Sequence, residues 1–217
     1  MNEQRIEQTK LALRSPRAAA IAGIIFSILF GTAIIIIRLA SQDSMDKLGW
    51  LESQSKNVIF ALNLIPYAGI AFLWFVGVVR DNLGEREDRL FSTVFYGSSL
   101  LFLAMLFESA AVAGGSLASL ANESNQTIDM TVYNFSRNVI NQTLYVYAMR
   151  MAAVFMFSLG TIWHRTRTMP RWLAFLTFIL ALILLFSLSQ ISWIGMIFPS
   201  WVLIISIYIL VLNMRRQ

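Results

Sequence analysis

Cysteine is absent from all 217 residues. That excludes disulfides, thiolate metal sites, iron–sulfur clusters and cysteine nucleophiles together. Histidine occurs once, as His164, so a bis-histidine haem within one chain and a histidine-rich metal site are excluded as well. No lysine and no paired aspartates lie inside the long apolar runs, which removes a retinal Schiff base and a diaspartate site. A serine–histidine protease working within the membrane needs its histidine deeper than position 164. No catalytic constellation can be assembled, and the expectation is a non-enzyme without metal or cofactor.

Charge is scarce too. Only 13% of the residues are charged and 57% are hydrophobic, against about 25% charged in soluble domains. The charges are bunched, and the stretches between them supply several times the roughly 20 apolar residues that cross a bilayer. Little chain is left for a soluble domain. The fold class expected is therefore all-α: a polytopic bundle of six transmembrane helices in one domain, residues 18–213. Tails of 1–17 and 214–217 flank it.

The six spans fall near Ala18–Ala40, Asn57–Val79, Leu90–Gly114, Ile140–Trp163, Trp172–Gln190 and Ser192–Asn213. The first 17 residues are polar, and the apolar run after them is too long for a signal-peptide h-region, so the first span is retained. The last two spans are joined by so little chain that a tight hairpin is expected near "SLSQISW".

Lys and Arg set the orientation. Twelve lie on the side of both termini in a six-span arrangement, while Lys47, Lys56 and Arg137 lie opposite. The positive-inside rule then places both termini in the cytoplasm, in a plasma-membrane setting. The net charge of +5 is thus topogenic and does not imply nucleic acid. Outer loop 41–56 contains Trp50 and Leu51 and suggests a short interfacial helix. Outer loop 115–139 is polar and Asn-rich. Triplets of the form N-x-S/T at Asn122, Asn125, Asn134 and Asn141 face or border the outside and matter only in a glycosylating pathway. Trp50, Trp163, Trp172 and Trp193 read as interfacial anchors.

Four polar residues stand within the spans: Arg38, Asn63, Glu108 and Arg150. A charge at mid-membrane costs roughly 2.5–3.5 kcal/mol, so such groups pair or face water. Glu108 on the outward-running third span leans inward, and Arg150 on the inward-running fourth leans outward. With an axial offset of roughly 5–8 Å, the spacing predicts a Glu108–Arg150 ion pair. Arg38 shares a helix face with Gly31, Ser27 and Gly23, a ridge of small residues suited to close helix contact. Asn63 and Tyr67 flank Pro66, where a kink is expected. An outer-leaflet polar cluster of Arg38, Asn63, Glu108 and Arg150, bordered by Tyr145 and Tyr147, follows. Spans five and six carry no charge and are expected to face lipid or another subunit.

One loop resembles a known signature. "GVVRDNLGER", Gly77–Arg86, is similar to the cytoplasmic loop G-x-x-x-D-[RK]-x-G-[RK]-[RK] of major facilitator transporters, matching at Gly77, Asp81, Gly84 and Arg86. Asn82 and Glu85 depart from it. The resemblance implies a charge network through Asp81 and Arg86 that exchanges partners during alternating access. It covers ten residues, which also read as a short turn followed by a solvated charge run. Two functions fit these features. One is a small transporter or channel-like subunit, completed by a homo-oligomer, with Glu108 as its binding carboxylate. The other is an accessory or scaffold protein in the lipid bilayer that binds another membrane protein, with the ion pair purely structural.

Overall fold

The structure, a computed structural model, describes residues 2–42, 49–83, 89–122, 130–186 and 193–215. Every regular element among them is helical. The helices are α1 (Asn2–Gln42), α2 (Gly49–Leu83), α3 (Arg89–Asn122), α4 (Met130–Asn141), α5 (Met149–Thr166), α6 (Arg171–Phe186) and α7 (Ile197–Met214). A π-helical segment, Gln142–Ala148, joins α4 to α5 without a break, and a 3₁₀ turn, Ile194–Met196, leads into α7.

Among the described residues, five stretches are long and apolar enough to cross a membrane: Arg17–Ala40, Lys56–Arg80, Leu90–Ser119, Asn134–Thr166 and Ile194–Met214. The fifth expected span appears as the shorter α6, and its last four residues, 187–190, lie outside the described residues. Helix extends further than composition suggests. Residues 115–122 continue α3, and 130–139 form α4, where an outer loop was expected. Ser116 and Ser119 return their hydroxyls to the carbonyls of Val112 and Gly115, at 2.7 and 3.1 Å, so these polar residues satisfy themselves within a helix. Trp50 and Leu51 likewise belong to the first turns of α2 and form no separate interfacial helix. The second helix runs unbroken through Pro66.

Around the bundle, α1 packs on α2 and α7, α3 on α2 and α5, and α5 on α6. The turn of the expected α6–α7 hairpin, residues 187–192, lies outside the described residues; the helices on either side meet at Thr177–Trp201 and at Trp172–Tyr208. Gly23 of α1 leaves the notch into which Ser206 of α7 and Phe75 of α2 fit, and a Cβ there would collide with both. At Gly160 of α5, a Cβ would sit 3.1 Å from Phe178 and 3.3 Å from Thr177 of α6. Gly69 of α2 admits the ring of Phe107 from α3 in the same way.

The centre is aromatic. Phe26 and Phe30 (α1), Phe72 and Phe75 (α2), Phe95 and Phe102 (α3), Phe155 (α5), and Phe198 and Trp201 (α7) are all fully buried. Phe72 alone touches Phe26, Phe75, Phe102, Phe155 and Phe198, with ring centroids 4.8–6.2 Å apart. These contacts join five helices. Helix α7 has two faces: Ile204, Ile207 and Val211 are exposed as expected, while Phe198 and Trp201 are buried, and the Trp201 indole N–H donates to Thr177 Oγ1 of α6 at 2.9 Å. Trp163 is also buried, 6.2 Å from Trp201 ring to ring, and is no interfacial anchor. The outside is apolar, with Ile28, Phe60, Trp74, Leu90, Trp172 and Phe186 all exposed.

Removing a ring from this centre leaves a cavity that five helices border. Phe72→Ala is expected to lower stability by about 3–5 kcal/mol, whereas truncating the exposed Phe60 or Phe186 to Ala changes it by less than about 0.5 kcal/mol. Thermal unfolding in detergent, followed by near-UV circular dichroism, makes the comparison.

Candidate functional site

The ionic residues of the spans do not form one cluster. Arg38 stands near the C-terminal end of α1 with its guanidinium over the ring of Tyr145, 4.9 Å from the centroid. Tyr145 reaches that place from the π-helical segment, whose wider turn is closed by the Met149 amide donating to the Leu144 carbonyl. The same turn buries Thr143, Ala148 and Met149 and leaves Tyr147 exposed. Gly195, ahead of α7, completes the enclosure, since a Cβ there would lie 3.5 Å from Tyr145 and 3.8 Å from Ile34. Arg38 thus faces helix partners and not only headgroups. The small ridge beneath it is also as expected in part: Gly23 and Ser27 are buried, and Ser27 Oγ donates to the Gly23 carbonyl at 2.7 Å.

Asn63, Tyr67 and Glu108 face outward. Tyr67 is 65% exposed, and Asn63 and Glu108 are exposed as well. Arg150 is half-buried, and one guanidinium nitrogen donates to the Val146 carbonyl a turn earlier, at 3.3 Å. Among the described residues, no ion pair joins Glu108 to Arg150.

The register of α3 on α5 explains why. Phe95 stacks on Phe155 with centroids 4.7 Å apart, which sets these two residues at one level of the antiparallel pair. Glu108 lies thirteen positions after Phe95 on α3, and Arg150 only five before Phe155 on α5, on the same side of the stack. The difference of eight residues is about 12 Å along the helix axes, well beyond the offset inferred from span boundaries. The two helices are neighbours as expected, but their charged positions are staggered: Glu108 is exposed, and Arg150 is half-buried and bonded to its own helix.

Two further arginines clamp helix ends over aromatic rings. Arg80 of α2 lies 4.9 Å from the Tyr96 centroid on α3, and Arg165 of α5 lies 4.7 Å from that of Phe91. Sequence reasoning treated both only as topogenic charges. Neither their aromatic partners nor the π-helical segment leaves a periodic signal, because each depends on which helices become neighbours. In the loop that resembles the transporter signature, Arg86 lies outside the described residues, and Asp81 is placed only as part of the α2 backbone.

Glu108 sits on a smooth surface. Ala104, Glu108, Ala111, Gly115 and Ser119 recur every three or four residues on the exposed side of α3. A Cβ added at Gly115 would meet nothing within 4 Å. Small residues at this spacing let a second helix approach closely in lipid. The face thus combines an open path for another helix with an ionisable group.

Among the described residues, no three His, Asp or Glu side chains converge on a possible metal position. Comparison with protein-family models, with curated protein sequences and with solved structures finds no match for this chain.

The Arg38 contact can be tested by separating ring from hydroxyl. Tyr145→Phe keeps the face presented to the guanidinium, while Tyr145→Leu removes it. The Leu variant is expected to be less stable than the Phe variant by about 0.5–2 kcal/mol in detergent. Equal stability of the two would mean that the ring face contributes nothing.

Proposed function

We propose that this chain is a membrane-embedded binding module, an accessory or scaffold protein whose outward α3 face docks onto another transmembrane surface. The observation that carries the reading is the exposure of Glu108 on a ridge of small residues. A carboxylate facing acyl chains costs roughly 2.5–3.5 kcal/mol, so a face of this kind is stable only when covered by a partner or when its acid is neutralised. The interior supports the same reading. Its five-helix centre is packed with phenylalanine rings, and the buried hydroxyls of Ser27, Ser109, Ser158 and Thr177 bond their own helices.

The topology belonging to this proposal has six spans, with α6 as the fifth and both termini cytoplasmic, in the plasma membrane. At 1.5 Å per residue, the described part of α6 rises about 24 Å, somewhat short of a hydrocarbon core of about 30 Å. The α3 face then opens to the membrane plane in its outer half.

The transporter or channel-like reading has one observation in its favour: the π-helical segment under Arg38, since such segments recur at functional sites. A path would then run between copies of the chain, with Glu108 beside it and with Asp81 and Arg86 in its cytoplasmic loop.

The two readings differ in reconstitution. In proteoliposomes the purified chain is expected to carry ion and proton flux no greater than empty vesicles, and Glu108→Gln to change nothing there. Purification from native membranes is expected to recover a partner chain in fixed stoichiometry, lost from the Glu108→Gln preparation. Flux above background that Glu108→Gln abolishes would establish transport instead.

A further inference from the structure

We infer that the end of the bundle where α5, α6 and α7 meet holds an anionic phospholipid. Its phosphate is gripped by Arg167, Arg171 and Arg215, and its acyl chains lie along α6. The site is at the opposite end of the spans from Glu108 and does not depend on the docking role of α3.

Charge is unevenly distributed along the chain. After Asp129 there is no Asp, no Glu and no Lys, and every cation but the solitary His164 is an arginine. Three of these, Arg167, Arg171 and Arg215, are exposed at the end of the bundle where α5 stops, α6 starts and α7 stops. Among the described residues no acidic side chain pairs with any of them. The neighbouring Arg165 differs, because its guanidinium already lies over Phe91. A topogenic signal is served equally by lysine. A guanidinium fork, in contrast, matches two phosphate oxygens at once.

Ring contacts hold the three helix ends together. Trp172 of α6 meets Tyr208 of α7 at 6.4 Å, and His164 of α5 meets Phe175 of α6 at 6.0 Å. Arg171 directly precedes Trp172. Arg215 follows Tyr208 by seven residues, about two turns, and so lies on the same side of α7. The pairs Trp172–Tyr208 and Thr177–Trp201 show that α6 and α7 run antiparallel. Helix side chains lean toward their own N-termini. Arg171 therefore leans out of the bundle and Arg215 back toward it, which draws the two guanidiniums toward one level.

The turn that carries Arg167 is a built one. Thr166 Oγ1 donates to the Ile162 carbonyl at 2.8 Å, so the Thr168 hydroxyl is the donor in its 3.0 Å bond to Thr166 Oγ1. Between these threonines Arg167 adopts a φ of 53°, the left-handed conformation that ends helices and that glycine enters without strain. Arginine is strained there. Its presence at a position suited to glycine is accounted for by a use for the side chain.

An apolar track begins beside the arginines. Trp172, Phe175, Ile179, Leu182 and Phe186 are exposed and recur at steps of three or four on one side of α6. The track runs about 21 Å into the bilayer, more than the roughly 15 Å of one leaflet's acyl layer. A free phosphate would use the arginines and leave the track untouched. A zwitterionic headgroup would bring its own cation against three guanidiniums. Arginines and track together specify a phospholipid of net negative charge.

Lipid retention tests the site. The purified full chain in a neutral detergent is titrated with phosphatidylglycerol or phosphatidylcholine of equal chain length, and bound lipid is counted by native mass spectrometry. Half-saturation is expected at a concentration at least about tenfold lower for phosphatidylglycerol. Arg171→Gln and Arg215→Gln are each expected to weaken its retention about fivefold, as for one basic residue at an anionic surface. Arg137→Gln removes an exposed arginine from α4, at the other end of the spans, and is expected to change nothing. Arg167→Gly is expected to weaken retention while the melting temperature stays at or above that of wild type, since glycine suits this φ.

Equal retention of the two lipids, or an effect of Arg137→Gln as large as the others, would reduce the arginines to net charge and overturn the inference. A lower melting temperature for Arg167→Gly would overturn the place of Arg167 in the site. Displacement of phosphatidylglycerol by excess inorganic phosphate would identify free phosphate as the ligand and overturn the lipid assignment. None of these outcomes bears on the α3 face, which flux and co-purification test separately.

Discussion

Lipid gives apolar side chains no reason to leave it, so the hydrophobic effect that condenses a soluble core is not available between these helices. Cohesion must come from close contact and from the few hydrogen bonds that cross helices. The aromatic centre follows from that constraint. Phe72 is surrounded by rings from α1, α2, α3, α5 and α7, and each edge-to-face or offset contact contributes about 0.5–1.5 kcal/mol beyond area burial. Gly23 lets Phe75 of that centre pack close against α1, while Gly69 and Gly160 give the same close approach to Phe107 and Phe178 beside it.

Polar groups are arranged around this centre by the same constraint. Several hydroxyls deep in the bundle bond to carbonyls of their own helices, as those of Ser27, Ser109 and Ser158 do, while the buried Ser206 Oγ has no hydrogen-bond partner among the described residues. The Trp201–Thr177 bond crosses between helices and ties α7 to α6. Arginines at helix ends lie over tyrosine or phenylalanine rings, where a cation meets the negative face of an aromatic. Glu108 has no such accommodation among the described residues, and its position on a smooth outward ridge is what turns a stable bundle into a candidate docking element.

Much of this was legible in the chain and some was not, for identifiable reasons. Apolar length alone locates the long helices, because a bilayer demands about 20 such residues and the chain has no other use for them. The ridge Gly23–Ser27–Gly31 was visible as spacing on one helix. Its partners were not, since nothing in the sequence says that Ser206 rather than a neighbour in chain order fills the notch at Gly23. The uncharged α7 looked peripheral because core and lipid-facing segments have the same composition in a membrane. Trp163 was misread for the same reason, and it lies inside. The Glu108–Arg150 contact failed on register. Neighbouring helices were inferred correctly, but span boundaries are too coarse to fix the axial stagger that the Phe95–Phe155 stack determines.

The central claim is that the rings close the inside and the acid is turned out. Spin labels attached through single cysteines test this most directly, in a chain with no cysteine of its own. In nanodiscs holding one copy each, a label at Glu108→Cys is expected to be mobile and open to lipid-dissolved oxygen, like one at Ala104→Cys. A label at Ala152→Cys, on the buried side of α5, is expected to be immobile and shielded. A label at position 108 that is shielded from oxygen and reached by a water-soluble relaxer would place the carboxylate in an interior aqueous path and contradict the account.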